Sequence, residues 1–300
     1  LASRIVADGI DILVDLSGHT AHNRLPLFAW KPAPVQATWL GYLATTGVKA
    51  IDYLIADAWT LPQSEETQFT EKVWRLPESY VCFTPPSNSV EVGPLPALGA
   101  GHITFGNFNN LTKMNEAVVA LWARVLAGIP NSRLFLKSKQ LQEISIRKRV
   151  TESFVRHGVD AGRLILQSQV PRSEYLLPYR QVDISLDPFP YTGITTSVES
   201  LWMGVPVLTL AGSSFLSRQG IGLMNNAGLP EWIANDVDDY VTRAALHAGD
   251  LHALASLRSG LRKKVLASPI FDAPRFASHF EAALRGMWRG WCAGEARLSP

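Results

Sequence analysis

The chain has 300 residues, 47% hydrophobic and 18% charged, with 28 Lys and Arg against 26 Asp and Glu and a formal charge of +2. This length and apolar fraction supply two cores at roughly 100 to 200 residues per domain, and the scattered, nearly balanced charge argues against nucleic acid as a partner. Cys82 and Cys292 lie far apart with no CxxC and no ligand spacing to the seven histidines, which argues against a disulfide framework or a zinc site and fits a cytoplasmic setting; no apolar run nears a membrane span and no signal peptide is visible.

Leu1-Ala-Ser-Arg-Ile-Val-Ala-Asp reads as the end of a helix feeding a strand. With no initiator Met, the first lobe is expected to be incomplete at its N-terminus. Apolar runs predict strands at 10–16, 35–40, 51–55 and 73–76, with a helix at 64–71. The Pro, Gly and Ser-rich stretch 87–101 lacks periodicity and reads as a linker. Beyond it, strands are expected at 103–107, 133–137, 164–166, 182–186 and 205–210, alternating with helices at 115–127, 141–157, 173–181 and 195–203. Such alternation predicts an α/β fold with parallel sheets, whose second half is a doubly wound domain binding its ligand at the carboxyl ends of the strands. A last helix over 272–291 carries Phe276, Phe280, Ala283, Leu284 and Trp288 at helical spacing, an apolar stripe of structural character.

Three loops at those carboxyl ends carry chemistry. The first is Gly106-Asn107-Phe108-Asn109-Asn110-Leu111-Thr112-Lys113, the second runs through Val170, Arg172 and Tyr175, and the third is Pro188-Phe-Pro-Tyr-Thr-Gly193-Ile194-Thr195-Thr196. The third enters a helix, so unpaired N–H groups and two hydroxyls stand where an anion could sit, with the helix dipole favouring negative charge. Lys113 would bring a cation to that anion. Arg172 and Tyr175 offer a guanidinium and a ring for stacking on a base. Glu199, one turn along the third helix, is suited to a ribose, as acidic residues are in dinucleotide folds.

These segments, with Leu13-Val-Asp-Leu-Ser-Gly18-His19-Thr20, Arg24, Lys31-Pro-Ala-Pro-Val-Gln-Ala-Thr-Trp-Leu-Gly41-Tyr42, Leu201-Trp-Met-Gly204-Val-Pro206 and Ser217-Arg218, resemble the catalytic region of the O-GlcNAc transferases along nearly the whole chain. The resemblance implies two Rossmann-like lobes facing a cleft, the GT-B type of glycosyltransferase. It implies residues 1–86 as the end of the first lobe, 87–101 as linker, 102–270 as the nucleotide-sugar lobe and 271–300 as a helix crossing back to the first. It further implies UDP-N-acetylglucosamine as donor, a protein or peptide as acceptor, and a tetratricopeptide segment upstream. On this reading Val170, Arg172 and Tyr175 hold the uridine, Glu199 the ribose, and Thr195, Thr196 and Lys113 the diphosphate, with Gly193 and Ile194 also among the substrate-binding residues. Asn110 stands where the family often has a diphosphate-side glutamine. His19, Arg24, Gly41, Tyr42 and Leu43 face the sugar and the acceptor, and Leu43 stands where the family has a proline.

Cleaving a sugar–phosphate bond leaves charge on UDP, which either a metal or protein cations and helix N-termini can stabilise. Asp183 and Asp187 flank a strand, and Asp236, Asp238 and Asp239 open a helix, where the dipole alone favours them. Their arrangement does not suggest a metal site, so a metal-independent, inverting displacement without cofactor is expected, with Lys113 and the Thr195–Thr196 helix start on the leaving group. His19 and His22 are both candidates for the base. A UDP-glucose-dependent glucosyltransferase of the same family and a non-catalytic UDP-sugar-binding module are the alternatives.

Overall fold

The computed structural model describes residues 1–86 and 90–294, apart from the Arg172 side chain. The chain separates into two compact units, one made of Leu1–Phe83, Ser214–Leu216 and the chain from Pro269 on, the other of Thr84–Ser213 and Ser217–Ser268.

The first unit opens with helix α1 (Ala2–Ala7) and strand β1 (Ile12–Asp15), then α2 (Leu25–Phe28), β2 (Val35–Trp39), β3 (Tyr53–Asp57) and β4 (Lys72–Leu76). The strands pair in parallel in the order β1-β2-β3-β4. Every residue of β3 is buried, which is how a strand covered on both faces reads in a parallel sheet. Leu25, Phe28 and Ile51 form a core cluster, with Leu13 and Val48 packed against it. The helix expected at 64–71 is instead a 3-10 stretch over Gln63–Gln68; Gln-Ser-Glu-Glu-Thr-Gln has no apolar residue to hold a helix on a core.

The second unit contains α3 (Pro96–Ala100), β5 (Thr104–Asn107), α4 (Glu116–Gly128), β6 (Arg133–Lys137), α5 (Ile144–Arg156), β7 (Leu164–Gln167), β8 (Ile184–Leu186), α6 (Thr195–Trp202), β9 (Val207–Leu210), α7 (Gln219–Asn226), β10 (Ile233–Ala234), α8 (Val237–Gly249) and α9 (Leu251–Leu266). All pairings are parallel, in the order β10-β9-β8-β5-β6-β7. The chain runs outward from β5 to β7, then restarts at β8 on the other side of β5. The switch point between β5 and β8 is where a parallel sheet opens a crevice at its carboxyl ends.

Two expectations for the second unit are overturned by the structure. The helix expected at 173–181 is two 3-10 turns, Arg172–Glu174 and Leu177–Gln181, because Pro178 lacks the N–H that a continuous helix would use. The two-residue strand β10 was not expected, being too short to show a period. The 87–101 stretch does not act as a free linker: Leu95 and Ala97 are buried, Pro96–Ala100 is helical, and the Ala97 N–H donates to Asp183 Oδ1 at 2.9 Å. Residues 87–89 lie outside the described residues.

The last helix, α10 (Ala273–Cys292), belongs to the first unit and packs on β2 and β4. Trp39 of β2 lies 5.9 Å from the Phe276 ring and 4.7 Å from that of Phe280. Asp272 caps the helix by accepting from the Arg275 N–H.

Candidate active site

The switch point in the second unit gathers the loops that follow β5 and β8. Asn107, at the end of β5, donates its side-chain amide to the Leu186 carbonyl of β8 at 2.7 Å and accepts from the Asn109 N–H, so one residue ties the two loop origins together. Asn110 Oδ1 accepts from the Thr112 N–H and from Gln140 Nε2, closing the turn that presents Lys113. The side-chain oxygen of Asn110 is thus engaged in shaping the loop.

Lys113 reaches across to the second loop. Its Nζ donates to the Thr192 carbonyl at 2.8 Å and sits 4.0 Å from the centre of the Tyr191 ring, a cation–π distance. Burial lowers its pKa, while the charge of Asp187 opposes that shift. Asp187, at the end of β8, is buried; its Oδ1 accepts from the Gly193 N–H at 2.7 Å and its Oδ2 from the Thr209 hydroxyl at 2.8 Å. Burial pushes its carboxyl up to about 7 against the pull of those bonds and of Lys113. Asp183, by contrast, is spent on the N–H groups of Ala97 and Thr104, and Asp236 caps α8 by accepting from Asp238 and Asp239. Among the described residues no group of three or more His, Cys, Asp and Glu is placed to hold a metal ion.

Helix α6 starts at Thr195 with Ile194 as its N-cap and no side-chain cap, which leaves its first-turn amides without a partner inside the helix. The hydroxyl of Thr196 donates to Asn109 Oδ1 at 2.8 Å; toward an anion Thr196 therefore offers its amide, while Thr195 is exposed. Gly193 leaves room that a side chain would take from two hydroxyls. A Cβ there would stand 2.6 Å from Ser197 Oγ and 2.8 Å from Thr196 Oγ1, closer than side chains tolerate.

Beside this turn lies a cavity of about 410 Å³ lined by Phe108, Lys137, Gln169, Val170, Tyr175 and Glu199, among others. It brings together Val170, Tyr175 and Glu199, three of the residues expected around a nucleoside. Arg172 belongs to the same loop, but its side chain lies outside the described residues. Phe108, Tyr179 and Lys137 were not singled out from sequence. Tyr179 packs its ring 4.4 Å from that of Phe108 and donates its hydroxyl to the Thr196 carbonyl at 3.0 Å, joining the cavity wall to the start of α6. Lys137 is the last residue of β6, and the rule that ligands meet the carboxyl ends of strands would have found it.

In the first unit, the loops after β1 and β2 meet. Gly41 must be glycine, since a Cβ would fall 2.1 Å from the Leu16 carbonyl oxygen. His19 Nε2 is 2.9 Å from the Thr46 carbonyl and its ring meets Tyr42 edge-on at 5.4 Å. A carbonyl only accepts, so neutral His19 carries its proton on Nε2 and keeps the lone pair on Nδ1. Arg24 is exposed at the N-cap of α2, Leu43 is half-buried, and His22 is exposed with a left-handed backbone.

With this geometry in hand, comparison with known proteins is informative. The family model described as Glycosyl transferase family 41 matches residues 1–84 and 95–280. A protein of Arabidopsis thaliana named probable UDP-N-acetylglucosamine--peptide N-acetylglucosaminyltransferase SPINDLY is 42% identical over 98% of this chain and 32% of its own length. A second from the same plant, named probable UDP-N-acetylglucosamine--peptide N-acetylglucosaminyltransferase SEC, is 30% identical over 98% of this chain and 31% of its own. Among solved structures, a mutant of the O-GlcNAc transferase of Thermobaculum terrenum superposes with a TM-score of 0.93 and 38% identity, over 98% of this chain and 56% of that one. HepE of Anabaena in complex with UDP and glucose superposes with a TM-score of 0.61 at 12% identity, over 95% of this chain and 81% of that one, a likeness of fold alone. The chain spans about a third of the length of the curated relatives it matches. These findings bear out the resemblance to O-GlcNAc transferases and the GT-B fold class.

Proposed function

The chain belongs to glycosyl transferase family 41, and from that membership we propose that it is the catalytic part of an inverting, metal-independent transferase moving N-acetylglucosamine from UDP-N-acetylglucosamine to Ser and Thr hydroxyls of proteins. The observation that carries this reading is the meeting of Lys113 with the turn that opens α6. A cation bonded to Thr192 O and an uncapped helix start occupy the switch point of a parallel sheet, next to a cavity of nucleoside size. In the reaction the acceptor oxygen bonds to the anomeric carbon. The bond from that carbon to the diphosphate oxygen breaks with its electron pair going to UDP, and the hydroxyl proton passes to a base. Preorganised donors aimed at the departing diphosphate stabilise the charge that develops there. Lys113 and the α6 amides supply them; Val170, Arg172, Tyr175 and Glu199 hold the nucleoside. His19, through Nδ1, is our candidate for the base, and Arg24, Gly41, Tyr42 and Leu43 carry the acceptor-side roles.

The test is a transfer assay on the full-length protein with a peptide acceptor, comparing UDP-N-acetylglucosamine with UDP-glucose, with and without excess EDTA, for the parent and Lys113→Met. N-acetylglucosamine transfer that persists in EDTA is expected. Lys113→Met should lower turnover by about 100-fold or more while UDP affinity falls far less, since one preorganised donor in a sheltered site is worth roughly 3 to 4 kcal/mol. Glucose as the better donor, loss of activity in EDTA that Mn restores, or a Lys113→Met rate within a few-fold of the parent would each overturn the corresponding part.

A further inference from the structure

Among the described residues, two lysines line the cavity, Lys137 and its neighbour Lys139, and neither has a role in the reaction proposed above. Lys137 ends β6, on a rigid strand, where its half-buried side chain is held in place. Its Nζ donates to the Tyr175 carbonyl at 3.0 Å and stands 5.3 Å from the centre of the Phe108 ring. Glu199, from the second turn of α6, lines the same cavity. The two charges act on each other: burial lowers the Lys137 pKa, and Glu199 opposes that shift.

An ammonium only donates hydrogen bonds, and an ionised carboxylate only accepts them. A donor and an acceptor lining one cavity match a group that offers both functions on adjacent atoms. The vicinal diol of a ribose is such a group, since each hydroxyl carries one proton to give and lone pairs to receive. A single carboxylate would bind the two protons but leave the hydroxyl oxygens to water. The Lys137 anchor on Tyr175 O adds a second consequence, because it ties the cation to the loop whose ring is placed to stack on the base.

We propose that Lys137 is a specificity-determining residue which, with Glu199, reads the 2′,3′-diol of the donor nucleotide, donating to a ribose oxygen while Glu199 accepts from a ribose hydroxyl. This rests on the reading of the cavity as a nucleoside site. It makes the enzyme selective for ribonucleotides over deoxyribonucleotides, a distinction that stacking on the base cannot provide.

Titration calorimetry of the full-length protein with UDP and with 2′-deoxy-UDP tests it. The parent should bind UDP at least about tenfold more tightly, the usual size of a hydrogen bond to a charged group. Lys137→Met should weaken UDP by about tenfold and bring the two ligands to within about threefold of each other, with 2′-deoxy-UDP itself much less affected; Lys137→Arg, which keeps the cation, should retain part of the preference. A Lys137→Met protein that keeps the parent's ratio overturns the proposal. So does a parent that binds both nucleotides alike, a result that needs no variant to fold. A parent that shows the preference yet transfers no sugar overturns the proposed reaction and supports this assignment. One that transfers sugar while ignoring the 2′-hydroxyl does the reverse.

Discussion

Asp187 shows how a single buried side chain couples stability to pH. In the unfolded chain its carboxyl titrates near the ordinary 3.8, whereas in the fold burial raises it to about 7. Between those values the folded state keeps a proton that the unfolded state has released. The stability this group contributes is therefore complete below about 3.8, falls as pH rises toward 7, and is constant above it. Asn at this position would keep an acceptor for the Gly193 N–H without titrating. Urea unfolding of Asp187→Asn and the parent should show the variant gaining on the parent by roughly 3 kcal/mol between about pH 5 and about pH 8, since the slope stays near its limit of roughly 1.4 kcal/mol per pH unit up to about pH 7. A difference that stays flat across this range would show that Asp187 titrates as an ordinary carboxyl. In sequence, Asp187 reads only as a residue flanking a strand; what raises its pKa is its burial in the fold, which the bonds from the Gly193 N–H and the Thr209 hydroxyl oppose.

At the scale of elements, helix starts divide into two kinds. α4, α8, α9 and α10 are capped by Asn115, Asp236, Asp250 and Asp272, each accepting from a first-turn N–H. α6, like α1, α2, α3, α5 and α7, has no such side-chain cap, and at the switch point its amides are left for another partner. Both kinds are legible from residues adjacent in the chain, which is why the Thr195–Thr196 turn stands out in sequence. α10 is legible as an amphipathic helix for the same reason, but the face it covers is not. Its Phe276 ring stacks on Trp39 of β2 and on Phe280, whose own ring meets Trp39 at a tilt. Phe280→Ala should cost about 2 kcal/mol in urea unfolding, below the roughly 3 to 5 kcal/mol of a fully buried Phe because Phe280 is only half-buried. Arg285→Ala, on the exposed side, should change stability by less than about 0.5 kcal/mol. Equal effects of the two substitutions would show that the stripe does not hold the helix.

For the whole molecule, the division into two units gives nucleotide binding a defined address. The candidate UDP contacts come from the second unit alone, from loops after β5, β6, β7 and β8. Hydrogen exchange with saturating UDP should slow at 107–113, 137–140, 169–175 and 193–199, because a ligand that binds only the folded state suppresses local opening where it sits. Slowing confined to Leu1–Phe83 would move the nucleotide site to the other unit and overturn the assignment.

By itself the amino-acid sequence determines the alternation of strands and helices, the parallel α/β class, the Gly-Ile-Thr-Thr turn before α6 and the family motifs, since all of these depend on periodicity or on residues close together along the chain. Tertiary structure decides what depends on distant residues meeting. Lys113 and Thr192 are 79 positions apart, and Asn109 and Thr196 are 87 apart; only the order β10-β9-β8-β5-β6-β7 makes them neighbours. The same order puts Phe108, Lys137, Tyr175 and Glu199 around one cavity although they come from four different segments. It turns the Thr196 hydroxyl toward Asn109 instead of an anion, and it buries Asp187 deeply enough to raise its pKa. Local pattern specifies which groups the chain carries, whereas burial and strand order set which protons they hold and which partners they meet.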